Sequence, residues 1–459
     1  MEGYLELNNR TYFFTFDNVV LKLIPRDMVY CTIEEIQDAL NGNSKDNIPY
    51  ILEGKLIDRV GKIYFFVKKV INHTINIGVY EIEIYSYTTT IDSELKIDSI
   101  SIYSDELNWF YNIRKAYDYS LTINTGKASV NLKEDHNLRK IFKFKLDDVD
   151  IVADLNISRS IANMSKNPIT LASVLNFKFD TTDNLELIFK LIYLTEKFLS
   201  FITYRKNVYI DTIGLNRKNE NGKFSNCGKV YINRELDSFV EQDKVIQNRI
   251  IDFDLVEDNC ADIFQLLSNE LVYLEHIPVN SRDSRVITPA RFVLITAAFE
   301  WEFRHIYGSN LKEEENDIFK NSKVEVLKML EEKINSTTGK LKKNIKLYKR
   351  IIENIDMSLS EKIQIVLNDN SNILDCFIRN IYLMNGISEV KYSDIAGRIQ
   401  TQRNNYAHGN IDKEIDSLVI LDLLILEWAI YCMVLTEVGV SEDRIKKCIN
   451  KLFNRNMDI

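Results

Sequence analysis

Pro289-Ala290-Arg291-Phe292-Val293-Leu294-Ile295-Thr296-Ala297-Ala298-Phe299-Glu300-Trp301-Glu302-Phe303 decides the fold class of the C-terminal half. Proline takes the first-turn position of a helix, where its missing N–H leaves no bond unmade. Apolar residues then recur at helical spacing. The same period holds to the end of the chain. Segments 317–335, 341–354, 372–384, 392–407, 412–438 and 441–452 all read as helices, with Ile263 to Leu274 as an amphipathic helix ahead of them. This half is predicted to be an all-α bundle. Its most apolar stretch, Leu418 to Leu435, contains Asp422 and Glu427. Two carboxylates inside it point to a buried bundle helix rather than a membrane span.

Toward the N-terminus the period changes near Glu235. Tyr12 to Phe16, Ile63 to Val67, Ile75 to Tyr85, Leu95 to Ile102, Ile141 to Leu146 and Leu171 to Phe179 alternate with period two. Such runs, separated by polar turns, predict an antiparallel sandwich or barrel. A helix is expected over Leu185 to Tyr204, then strands at Val208 to Ile213 and Lys229 to Ile232, with Asn216 to Asn226 as an exposed loop. The architecture is therefore α+β and multidomain. A β-sandwich-like domain is expected over residues 1–240 and a helical bundle over 241–459.

Bulk composition narrows the function. The chain has 459 residues, enough for two or three units. Hydrophobic content of 45% and scarce Gly and Pro exclude a disordered chain. A net charge of −9 argues against a protein that coats nucleic acid indiscriminately. The six cysteines, Cys31, Cys227, Cys260, Cys376, Cys432 and Cys448, lie far apart without a CxxC pair, as in a reducing cytoplasm. Met1 to Glu6 lacks the basic and apolar regions of a secretory leader. No membrane partner is expected.

The chemistry is expected in Arg403-Asn404-Asn405-Tyr406-Ala407-His408. Ser393-Asp394 offer cap chemistry for the helix that carries it, and Gly409-Asn410 offer a stop. Arg403 and His408 lie five residues apart, about 140° around an ideal helix. They share a site only if the chain leaves the helix near His408 and the imidazole swings back. RNA carries its own nucleophile in the 2′-OH. Its cleavage needs a proton donor or acceptor near neutral pH, which a histidine supplies. It also needs charge stabilisation on phosphate, which the Arg403 fork supplies. Asn404 is positioned to donate to phosphate or orient His408. This scheme requires no metal and no cofactor.

The arginine, the polar residue beside it and the following histidine, inside an all-α bundle, resemble the ribonuclease motif of the HEPN superfamily. Arg291 to Glu300 further resembles the opening helix of the ApeA-like branch, with Phe299 where leucine is common. That resemblance implies an anti-phage endoribonuclease of the abortive-infection kind. It implies Arg403, Asn404 and His408 as catalytic residues, with Glu300 in a supporting role beside Arg403. It also implies a homodimer or higher homo-oligomer, a phage-derived trigger acting through a β-rich sensor domain, and RNA such as tRNA as substrate. Products would carry 2′,3′-cyclic phosphate and 5′-OH ends.

Lys342, Lys343, Lys346, Lys349 and Arg350 crowd one amphipathic segment and form a candidate RNA-backbone track. Glu313-Glu314-Glu315 and Glu331-Glu332 supply counter-charge nearby. Asp147, Asp148, Asp150 and Asp154 lack the glycine and spacing of a calcium loop and read as polar strand faces. The alternative function is a non-catalytic HEPN scaffold for dimerisation, whose β-domain recognises a protein or glycan.

Overall fold

The computed structural model describes residues 1–27, 48–74, 78–122, 126–133, 138–162, 166–167, 169–208, 210, 212–233, 239–308, 317–353, 357–410 and 417–459. Ile75–Ile77 of one expected strand, Tyr209 and Asp211 of another, Glu313–Glu315, Asn354, Cys31 and Asp412 lie outside them. The chain divides into two compact units. One comprises Met1–Leu199 with Asn207–Gln247, the other Ser200–Lys206 with Asn248–Ile459.

The first unit is a long antiparallel sheet. Its strands are β1 (Glu2–Leu7), β2 (Arg10–Phe16), β3 (Val20–Pro25), β4 (Ile51–Leu56), β5 (Lys62–Thr74), β6 (Val79–Thr90), β7 (Ile97–Tyr103), β10 (Lys140–Leu146), β11 (Val149–Ile161), β12 (Ile169–Thr182), β13 (Thr212–Lys218) and β14 (Phe224–Ile232), with β8 (Tyr117–Thr122) and β9 (Lys127–Leu132) as a separate hairpin. Alternation is strict at the start, where Gly3, Leu5 and Leu7 are buried and their neighbours exposed. Strand β6 organises the sheet. Along one edge it pairs with β5, and along the other with β3 and then β14. The order β6-β3-β2-β1-β4-β5 thus returns to β6 and closes a barrel. Its interior is filled by Phe14, Phe16, Leu21, Leu23, Ile63, Phe65 and Ile82, among others. Phe14 and Phe16 both meet Phe65 edge to face. The barrel is drawn tight where β1 meets β4. A Cβ on Gly3 would stand 2.2 Å from the Lys55 carbonyl oxygen, so only glycine fits.

From β14 the sheet continues through β13, β7, β12 and β11 to β10. Helix α1 (Asp105–Phe110) lies against β12, and α2 (Leu185–Thr203) is tied to the β10–β11 turn by Lys190, which donates to Asp147. The polar stretch 216–226, expected as a loop, lies mostly in the β13–β14 hairpin. Its turn is closed by Asn219, whose side-chain oxygen accepts from the Asn221 and Lys223 amides. Polarity there marks an exposed strand pair, not a break in the ladder. Asp154 is buried on β11 and held by Arg139 and Lys178, while the remaining aspartates of that run lie at the β10–β11 turn and strand start.

The second unit is helical. Its elements are α3 (Asp243–Asn248, which straddles the division), α4 (Phe253–Val256), α5 (Cys260–Ser268), α6 (Pro289–Tyr307), α7 (Asp317–Ser336), α8 (Gly339–Glu353), α9 (Leu359–Asp369), α10 (Ser371–Met384), α11 (Tyr392–Ala407), α12 (Ser417–Glu437) and α13 (Glu442–Leu452). Thr288 caps α6 by accepting from the Arg291 amide, and Pro289 opens it. Helix α5 ends at Ser268, earlier than its apolar pattern, because the chain turns through Glu270 at φ 57°. Helix α12 is the core: Leu423 through Leu435 is almost continuously buried, and α6, α10, α11 and α13 pack around it. By length and hydropathy it is the one helix, among the described residues, able to cross a membrane. Its two buried carboxylates are paired inside the unit. Glu427 accepts from Arg291 Nη2 at 2.7 Å and from the Tyr204 hydroxyl. Asp422 accepts from Arg398.

Candidate active site

Helix α11 carries the motif. It starts at Tyr392 with Lys391 as N-cap, and no side chain caps it. Ser393 and Asp394, expected as caps, sit inside the first turn, where Asp394 complements the helix dipole instead. The start is fixed by a hydrogen bond from the Tyr392 hydroxyl to Asp375 of α10. Ile395, Ala396, Ile399, Gln402 and Tyr406 form the buried face. Tyr406 meets Phe292 of α6 edge to face at 5.4 Å.

Rotation of α11 about its axis is set from both flanks. On one side Gln400 Oε1 accepts from the Ser360 amide at 2.8 Å, at the start of α9. On the other, Arg398 donates from Nε and Nη2 to the two oxygens of Asp422, at 2.7 and 3.0 Å. Arg398 Nη2 also donates to the Tyr382 hydroxyl at 2.6 Å, and that hydroxyl donates to Asp422. Burial, with the Asp422 carboxylate beside it, holds the Tyr382 phenol well above its ordinary pKa. The bond to Asp422 raises the Arg398 guanidinium likewise. The buried Asp422 and the half-buried Arg398 thus join α10, α11 and α12.

Arg403 is on the same helix but differently placed. Its Nη2 stands 3.7 Å from Glu300 Oε2 of α6, with side chains 39% and 26% exposed. That is an ion pair too long for a hydrogen bond, and in solvent it contributes roughly 0–1 kcal/mol. No other acceptor engages the guanidinium among the described residues. Its donors remain open for an incoming anion.

His408 is the C-cap, with φ −95° and ψ 7°. Its amide still donates to the Asn404 carbonyl at 3.0 Å, as in a helix. The exit comes one residue later. Gly409 takes φ +76°, a region glycine enters without strain, and Asn410 N–H closes back onto the Asn405 carbonyl at 2.9 Å. The chain therefore does not leave the helix before His408, the exit that would free its imidazole most readily to turn toward Arg403. The two side chains leave α11 about 140° apart, and no hydrogen bond joins them among the described residues. Asn404 is exposed, and its link to His408 is through the backbone.

Lys342, Lys343, Lys346, Lys349 and Arg350 all lie on α8. That helix packs chiefly on α7, away from the α6–α11–α12 core. Lys349 bridges to Glu331 at 2.9 Å. The structure thus brings Glu300 to Arg403 and sets the basic stripe on a separate hairpin.

Residues 293–444 match the family model described as Apea-like HEPN. The chain carries an Apea-like HEPN domain. The match begins inside α6, spans Glu300, the basic hairpin and the whole Arg403–His408 segment, and ends in α13. No curated protein and no solved structure matches the chain. The HEPN domain follows a β-rich region in the order read from the sequence.

Two clusters in the second unit escaped the sequence reading: Arg398–Asp422–Tyr382 and Arg291–Glu427–Tyr204. Their signal was present. A carboxylate inside an apolar helix requires a cation or donor on a facing element, and arginines stood ready on α6 and α11.

Proposed function

We propose that this protein is a metal-independent endoribonuclease of the HEPN superfamily acting in bacterial anti-phage defence, in the cytoplasm. The observation that carries this reading is Arg403, an arginine one helix turn from a helix exit, facing solvent with a single weak partner, in a domain of a family associated with RNA cleavage. Arg403 grips the scissile phosphate through its fork. His408 moves the proton. The 2′-oxygen attacks phosphorus as its proton leaves, the P–O5′ bond breaks, and the departing 5′-oxygen takes a proton. The ends formed are a 2′,3′-cyclic phosphate and a 5′-OH. Asn404 supplies a further donor and Glu300 orients Arg403.

Since Arg403 and His408 diverge within one chain, the site is completed by a second copy, Arg403 of one protomer working with His408 of its partner. The β-unit acts as the sensor for a phage-derived trigger, and a structured RNA such as tRNA is the substrate. Purified His408→Ala should fold as the parent and lose RNA cleavage at least a hundredfold, also in EDTA. Cleavage at the parent rate removes His408 from the mechanism.

The same divergence favours the second reading, a scaffold whose motif no longer cuts. Mapping RNA 5′-OH ends after expression of parent and His408→Ala separates the two. Identical maps under triggering conditions support the scaffold.

A further inference from the structure

The α7–α8 hairpin is built unlike the rest of the domain. Its two helices pack chiefly against each other, and among the described residues Ile334 and Ile345 are their buried apolar side chains. Taking Ile345 as the inward direction, helical geometry distributes the other residues of α8 around it. Lys342 and Lys349 lie on one flank, with Lys346, Arg350 and Lys343 further round the same side. Lys342, Lys343 and Lys346 make no ion pair among the described residues. On the opposite flank stand Leu341 and Tyr348, each 55% exposed. They are two turns apart and share one line. Val326 and Met329 of α7 are exposed as well, and the spacing from Ile334 puts them on that same side.

One helix therefore presents a cationic flank and an aromatic-apolar flank, side by side. The cationic flank calls for a polyanion. A double helix shows such a surface its phosphates and keeps its base faces stacked away, leaving Tyr348 unused. An unpaired strand shows phosphates on one side and open base faces on the other, which matches both flanks. Lys343, Lys346 and Arg350 follow one another about 4.5 and 6 Å apart along the axis, a stride near that of successive phosphates.

We propose that the α7–α8 hairpin is a docking arm for unpaired RNA, with the lysine flank holding the backbone and Tyr348 stacking on a base beside Leu341. This rests on the ribonuclease reading for its biological sense, but its test needs no cleavage. The full chain carrying His408→Ala is titrated, by fluorescence anisotropy, against a short unstructured RNA and a blunt RNA duplex of equal length. The unstructured RNA should bind roughly tenfold tighter. Adding Tyr348→Ala should weaken it about five- to tenfold and leave the duplex unchanged. Adding Lys343→Ala with Lys346→Ala should weaken both and flatten the salt dependence by about 1.4 in log–log slope for the single strand. All three positions are at the surface, and unchanged circular dichroism confirms folding. Duplex preference, or no loss with Tyr348→Ala, overturns the proposal. So does a Tyr348→Ala effect seen only as loss of self-association or of binding to anionic vesicles. If the arm binds as described while the parent cuts no RNA, the arm stands and the nuclease reading falls.

Discussion

Glu302 and His276 show how single buried side chains set the pH response of the HEPN unit. Glu302 is buried on α6 and accepts from the Tyr273 amide at 2.8 Å. Burial outweighs that bond and pushes its carboxyl up to about 7. A raised folded-state value means a proton held on folding. Its stabilising contribution is full below the ordinary 4.5 and is lost as pH rises through about 7. His276 behaves oppositely. Burial beside Tyr204 and Tyr273 takes its imidazole down to about 3. Its contribution is present above the ordinary 6.5 and is lost as pH falls. Glu302→Gln keeps an oxygen for the Tyr273 amide and removes the charge. The variant should match the parent at pH 5 and exceed it at pH 8 by on the order of 2 kcal/mol, read as a higher Tm. Equal shifts at both pH values would mean that Glu302 is ionised without penalty.

At the scale of elements, α11 is held by its charges. Asp422 is fully buried and takes two bonds from Arg398 and one from Tyr382. Asp422→Asn leaves the Arg398 cation half-paired and should cost about 3–5 kcal/mol. The double variant Arg398→Met with Asp422→Leu should recover most of that stability, since apolar residues of similar volume often replace a buried pair without loss. If the double variant is no more stable than Asp422→Asn, the cluster contributes more than its charge balance. Sequence periodicity found α11 and α12 readily, because a 3.6-residue pattern is local. It did not find the N-cap, because Lys391 uses no side-chain bond that a sequence could advertise. It named no strand at β1, β3, β4, β8 or β9, each of six residues, where too few repeats stand out and pairing fixes the strand. It also named none at the longer β11, where only the polar faces of Asp147 to Asp154 were read.

At the scale of the whole molecule, the order of a β-rich region before a HEPN bundle was legible, because the period of apolar residues switches once and stays switched. Barrel closure was not, since it depends on β6 sharing one edge between β3 and β14, and no local pattern encodes that. Placement of the candidate site was half legible. The helix stop at Gly409 followed from glycine, but the direction of His408 depended on whether the exit fell before or after it. If two copies complete the site, variants lacking different halves should complement. Arg403→Ala and His408→Ala, each inactive alone, should regain roughly a quarter of parent cleavage when mixed and allowed to exchange subunits, the fraction set by random pairing and one intact half-site. No recovery after demonstrated exchange would place both groups in one chain.

Among the described residues the long sheet stops at β10, which pairs there with β11 alone. Such a border offers unmatched amides to any neighbouring molecule and invites fibrous association. Here it bears Lys140, Lys143 and Lys145 within seven residues. Two of these borders meeting head to tail would crowd six ammonium groups along one seam. Electrostatic repulsion, softened where Lys145 meets Asp150 at 3.7 Å, thereby disfavours such pairing, and high salt should relax it before it disturbs the fold.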